Sequence, residues 1–190
     1  MSDRLLCVLK TALVAVSIQG LAVVVYLGVD RHRAASRQPS FDAERLAPGR
    51  AAPSLLLVRP DGSTRRLSEL RGKAVLLHFW ATWCPPCREE LPGLLALGRD
   101  LGRDGALEVI AVTLDDDWAA VGRFFGGDIP VEVVRDASSA STRIYEVSAL
   151  PDTYLVGPDG ALTVRVGGAR DWRGPMAQSF LRDFIEDSRR

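Results

Sequence analysis

Charge-free and charged stretches divide the chain into three regimes. From Thr11 to Val29 (TALVAVSIQGLAVVVYLGV) no position carries a charge, and only Thr11, Ser17 and Gln19 are polar. At 1.5 Å per residue the run spans roughly 28 Å, about the thickness of a hydrocarbon core. Its length exceeds the apolar part of a cleaved signal peptide. No small-x-small cleavage site follows Tyr26, and no lipid-modifiable cysteine follows the run. It therefore reads as one uncleaved transmembrane helix over 11–29, behind a short cytoplasmic tail over 1–10. The flanking charges, Arg4 and Lys10 against Arg31, Arg33 and Arg37, nearly balance, so charge bias does not set the orientation. A short tail before a large domain favours N-in, C-out. Residues 30–50 (DRHRAASRQPSFDAERLAPGR) are polar and arginine-rich and contain two prolines, which predicts a linker; the plainer reading is that the end of the stretch already packs on the domain.

From Ala51 the periodicity alternates between strand and helix. Ser54–Val58 and Thr64–Leu67 flank the turn Asp61-Gly62 and predict a β-hairpin. Ser68–Leu70 resembles one helical turn. Ala74–Trp80 (AVLLHFW) is a dense apolar run of strand length, as found in sheets covered on both faces. Helical spacing follows from Cys84 to about Arg103, then a buried strand over Leu107–Leu114 and a helix over Asp117–Phe125. A strand over Val131–Val134 and a short helix over Ser139–Tyr145 come next. Asp152–Val156 and Ala161–Val166 bracket Gly157-Pro158-Asp159-Gly160, a strong hairpin signal. An amphipathic helix spans Pro175–Asp187. This order predicts an α/β domain over 51–190: a mixed sheet flanked by helices, with an N-terminal β-hairpin extension.

Composition narrows the function. Apolar residues make up 47% of the 190, enough for a real core. Lys plus Arg and Asp plus Glu number 24 each, and this zero net charge argues against a dedicated nucleic-acid binder. Three cysteines are too few for a disulfide scaffold.

Two of those cysteines, Cys84 and Cys87, stand three apart where an apolar strand gives way to a helix. Pro85 and Pro86 are tolerated there because first-turn amides lack intrahelical partners. The spacing puts both sulfurs near one face of the first turn, where a small-loop disulfide can open and close. The helix N-terminus stabilises a thiolate on Cys84, the attacking species in thiol-disulfide exchange. Cys87, one turn in, is expected to be more shielded and to resolve the mixed disulfide. Zinc would need further ligands, and only Cys7, His32 and His78 remain. Position 88 is arginine, not the histidine of covalent haem attachment. No metal or other cofactor is expected.

WCPPC after an apolar strand resembles a thioredoxin-fold active site. Together with LRGKAVLL, HFWATWCPPCREELP and ALPDTYLVGPDG, it resembles the membrane-anchored TlpA/ResA/CcmG-type thiol-disulfide oxidoreductases over about residues 51–187. The resemblance implies a thioredoxin fold with Cys84 as nucleophile and Cys87 as resolving cysteine, joined as the redox disulfide. It implies a cis-proline at Pro151, with the Leu150 backbone exposed for pairing with substrate. Trp83, beside Pro85 and Pro86, matches the tryptophan that shapes the docking surface. Glu90 matches an acidic residue that would shuttle a proton to Cys87; its plain reading is a solvated helix-face glutamate. His78 stands where relatives carry Asp or Asn. It reads either as a buried proton relay titrating near neutrality or, more commonly for a strand, as a satisfied core histidine. Arg88, Arg170 and Trp172 are candidates for a partner surface.

The expected activity is reduction of selected protein disulfides outside the cytoplasmic membrane. The domain would lie in the periplasm or an equivalent space, anchored in the inner membrane. The resemblance implies a membrane reductant of the DsbD/CcdA type, and apocytochrome c cysteines or copper-delivery thiols as substrates. Two alternatives stand beside it. A thiol-dependent peroxidase would place its cysteine in a Thr-x-x-Cys context, whereas Thr82 is two residues before Cys84. A membrane-tethered Cu(I) chaperone would be expected to show a methionine or histidine cluster, but only Met1 and Met176 are present.

Overall fold

The apolar run Ala74–Trp80 lies in the middle of one eight-stranded sheet, and all seven of its side chains are buried. The structure, a computed structural model, describes residues 41–137 and 140–189. Its elements in chain order are β1 (Glu44–Arg45), β2 (Leu56–Val58), β3 (Thr64–Arg66), a 3-10 turn (Leu67–Leu70), β4 (Ala74–Trp80), α1 (Pro85–Leu101), β5 (Leu107–Thr113), α2 (Trp118–Phe124), β6 (Val133–Asp136), α3 (Ser141–Ile144), β7 (Asp152–Val156), β8 (Leu162–Gly167) and α4 (Pro175–Asp187). The strands run in the order β1-β8-β7-β4-β5-β6-β2-β3. β4, β5 and β6 are parallel and the remaining pairs antiparallel. This is a thioredoxin-like α/β fold. Among the described residues no helix is long and apolar enough to cross a membrane. The expected tail (1–10), the expected anchor (11–29) and the linker up to residue 40 lie outside the described residues.

Alternation along β4 assigns its side chains to two cores. Leu76 and Trp80 join the cluster built with α1 and α4, including Leu91, Leu94, Leu181 and Ile185. Val75, Leu77 and Phe79 join the opposite cluster, with Leu55, Leu57, Tyr145 and Tyr154. By the same period of two, His78 points to the α1 side, and that parity decides its surroundings.

Helix α1 approaches β5 closely through Gly98. A Cβ built there would lie 2.2 Å from Val109 Cγ2. Alanine gains up to ~1 kcal/mol in helix propensity over glycine. Overpacking against a branched, χ1-restricted neighbour typically costs ~1–3 kcal/mol, so the clash wins. Gly98→Ala is expected to lower the melting temperature, and Val109→Ala in the same chain to recover part of the loss.

Two expectations need correction. Residues 44–45, assigned to the linker, form the edge strand β1 and pair with Arg165 and Val164 of β8. Phe41 stacks on Phe180 with ring centroids 4.7 Å apart and tilts against Trp172 at 5.4 Å. An aromatic with an apolar landing site outweighs the polar residues around it. The strand expected over Val131–Val134 begins two residues later. The Pro130 carbonyl accepts from Val133 N at 3.0 Å, a turn that delays the extended chain.

Candidate active site

Cys84 caps α1. Its backbone is extended (φ −97°, ψ 104°), and its Sγ accepts from Cys87 N at 3.3 Å. Pro85 and Pro86 occupy the first helical positions, where no amide hydrogen is needed. Cys84 and Cys87 are disulfide-bonded, with Cα atoms 5.3 Å apart. Both are buried, but unequally. Cys84 keeps 5% of its surface exposed and Cys87 none. Only the first sulfur is placed to meet a partner.

The surface around Cys84 is apolar. Trp83 is 65% exposed, so it is not a core residue, whereas Trp80 is wholly buried. A groove of about 440 Å³ runs between Trp83, Pro85 and Pro86 on one side and Val147–Leu150 on the other, with Cys84 in its lining. The Leu150–Pro151 peptide bond is cis. The described residues thus bring Trp83, Cys84, Pro85, Pro86 and Leu150 together around one groove.

A bracket that the sequence reading missed holds the loop before Cys84. Asp115 is 6% exposed. Its carboxylate accepts from Thr82 N at 2.9 Å, Thr82 Oγ1 at 2.6 Å and Thr113 Oγ1 at 2.6 Å. A carboxylate bonded this fully ties the end of β5 to the turn leaving β4. The available signal was the acidic run Asp115–Asp117 at the carboxyl end of a parallel strand, where open α/β sheets place their sites.

Behind the disulfide lies a second polar group. Glu90 follows Cys87 by three residues on α1 and is 8% exposed, so it is not the solvated helix-face residue of the plain reading. Its neighbour Glu89 is exposed. Glu90 Oε2 accepts from Arg170 N at 2.5 Å. Oε1 faces His78 Nε2 at 3.5 Å, and neither atom completes a hydrogen bond. The Trp172 indole N–H leans toward the carboxyl, also without closing a bond. Burial raises the Glu90 pKa to about 7, against the lowering pull of the Arg170 N–H, the indole and the Arg170 charge.

His78 has no exposed surface, and its Nδ1 lies 2.9 Å from Thr153 Oγ1. Thr153 is its direct cross-strand partner on β7. Burial lowers the His78 pKa to about 3, which speaks against the reading of a histidine titrating near neutrality. Desolvation penalises the imidazolium, and here the carboxyl is the group brought to neutrality.

The expected partner-surface residues also separate. Trp172 is buried at 1% exposure. The Arg170 backbone meets Glu90, and the Arg88 guanidinium lies over the Phe124 ring at 5.8 Å.

Comparison with known proteins gives a consistent result. The AhpC/TSA family model matches residues 48–165. The chain is 33% identical over 145 residues to the thiol-disulfide oxidoreductase ResA of Bacillus subtilis, covering 75% of this chain and 76% of that protein. Against ResA of Geobacillus kaustophilus it is 29% identical over 164 residues, covering 85% and 87%. Among solved structures, a Chlorobium tepidum protein assigned as a thiol:disulfide interchange protein DsbE superposes with a TM-score of 0.62. The two are 28% identical, over 75% of this chain and 98% of that one.

Proposed function

Given that the chain belongs to the AhpC/TSA family, among its ResA-like thiol-disulfide oxidoreductases, we propose that it reduces selected protein disulfides outside the cytoplasmic membrane by cycling Cys84 and Cys87. The observation that carries this reading is the bonded cysteine pair at the start of α1, one member of which opens on an apolar groove.

The cycle begins with both cysteines reduced. The Cys84 thiolate, held by the amides and dipole of the first helical turn, attacks one sulfur of the substrate disulfide. The substrate S–S bond breaks, its far sulfur leaves as a thiolate, and Cys84 holds the near one. Cys87 then passes its proton to the Glu90 carboxylate and attacks Cys84 Sγ, which releases the second substrate thiolate. Two electrons have moved from the pair to the substrate, leaving Cys84 bonded to Cys87 as in the structure. A carboxyl near neutrality suits this task, because it accepts and returns a proton with little driving force lost either way. The neutral His78 ring beside it keeps the pocket free of a second charge.

The apolar groove favours an extended protein segment as substrate, with cytochrome c maturation or related thiol delivery as its setting. In this reading, residues 11–29 anchor the chain in the inner membrane with the domain on the periplasmic side. A membrane dithiol of the DsbD/CcdA type returns the electrons.

The test is trapping. The Cys87→Ser chain is expected to accumulate protein partners through Cys84 as reducible mixed disulfides. If only small-molecule adducts, or none, appear while the parent turns over, the protein-substrate reading fails.

A further inference from the structure

Residues 168–174, between β8 and α4, bring the Arg170 N–H and the Trp172 indole to the Glu90 pocket. These residues are themselves held from above. Phe41 packs against Trp172 and stacks on Phe180 of α4. The Arg170 guanidinium is turned away from the acid. Its Nη2 donates to the Asp42 carbonyl at 3.1 Å and its Nη1 to the Ala169 carbonyl at 2.9 Å. The Asp42 carboxylate lies 3.4 Å from the same Nη2, but its side chain is 95% exposed, so that ion pair adds little. The aromatic packing and the carbonyl contact carry the attachment. Behind them β1 fixes the chain to β8, and Leu46 N donates to Thr163 O at 2.9 Å.

We infer that Phe41 and Asp42 form a strap that presses residues 168–174 onto Glu90, keeping water out of its pocket and the Arg170 cation off its carboxyl. This rests on the proposed role of Glu90 as the proton acceptor for Cys87, and it makes Phe41 a positioning residue for that acid. The groups facing the Glu90 carboxyl are few: His78 from β4, and the Arg170 N–H and Trp172 indole from the strapped loop, with Cys87 three residues back on α1. The Arg170 charge still draws the acid down, but its Nη atoms are committed to the Asp42 and Ala169 carbonyls and burial outweighs its pull, so dryness is the dominant influence on the acid. Without the strap, water enters and the guanidinium is free to swing inward. Both changes favour the carboxylate.

The test reads Glu90 directly in the oxidised full-length chain in detergent, with 13C-labelled glutamate side chains and Glu90→Gln to assign the signal. The parent midpoint is expected near pH 7. Phe41→Ala is expected to lower it by about one unit or more, a tenfold loss of proton affinity, while Phe41→Leu, which keeps apolar cover, holds it. Should Phe41→Ala fail to fold, Phe180→Ala removes the same stack from the other side. A variant that lowers the melting temperature with the Glu90 midpoint unmoved overturns the strap. No substrate is present in this measurement, so its outcome is independent of whether the protein exchanges disulfides.

Discussion

Cys84→Ser is expected to abolish disulfide exchange, by about 10³-fold or more, while Cys87→Ser retains the first half of the reaction. The asymmetry follows from position rather than chemistry, since both side chains are thiols on the same helical turn. Cys84 is the N-cap, lines the groove beside Trp83 and keeps a sliver of exposed surface. Cys87 has none, so its sulfur cannot replace the lost nucleophile against a protein disulfide. The amide of residue 87 points at Cys84 Sγ, and the dipole of the seventeen-residue α1 adds to it. Rapid-quench alkylation of the reduced single-cysteine variants checks the difference. Cys84 in Cys87→Ser should react as a thiolate well below pH 8, and Cys87 in Cys84→Ser slowly at any pH. Equal rates would remove the division of labour between the two sulfurs.

Much of this architecture is legible along the chain, because each legible part is local. AVLLHFW is apolar on both parities, and the structure covers β4 on both faces. Gly157-Pro158-Asp159-Gly160 makes the turn between β7 and β8, and α4 matches its expected bounds. The illegible parts depend on contacts between distant residues. Glu90 and Arg170 are 80 positions apart, Thr82 and Asp115 are 33 apart, and each pair is made by strand order rather than by spacing. β1 has only two residues, too few for alternation to register, so a polar composition read as linker. His78 is the intermediate case. Its strand and burial are visible in AVLLHFW, but its partner is set by which face of β4 receives α1.

That partner yields the second large expectation, a stability that responds to pH in opposite senses in two variants that each replace one titratable group by an amide. Glu90 is raised from 4.5 unfolded to about 7 folded, so its contribution is complete below pH 4.5 and is lost as pH rises toward 7. His78 is lowered from 6.5 to about 3, so its contribution is complete above pH 6.5 and is lost as pH falls toward 3. Between pH 4.5 and 6.5 the unfolded chain holds one proton on this pair, on the imidazole. The folded chain also holds one, on the carboxyl. The two slopes cancel, and in the parent the pair is silent in that window. Removing either partner unmasks the other. His78→Asn should lose stability relative to the parent as pH rises through the window, and Glu90→Gln as pH falls through it. Each slope approaches roughly 1.4 kcal/mol per pH unit, the value for one uncompensated proton. Denaturant titrations of the oxidised chains at pH 4.5, 5.5 and 6.5 read this as two lines of opposite sign. The other carboxylates drop out because all three chains share them. Variants parallel to the parent would mean that His78 and Glu90 do not exchange one proton between imidazole and carboxyl on folding. Glu90 would then lose its standing as the acid that serves Cys87.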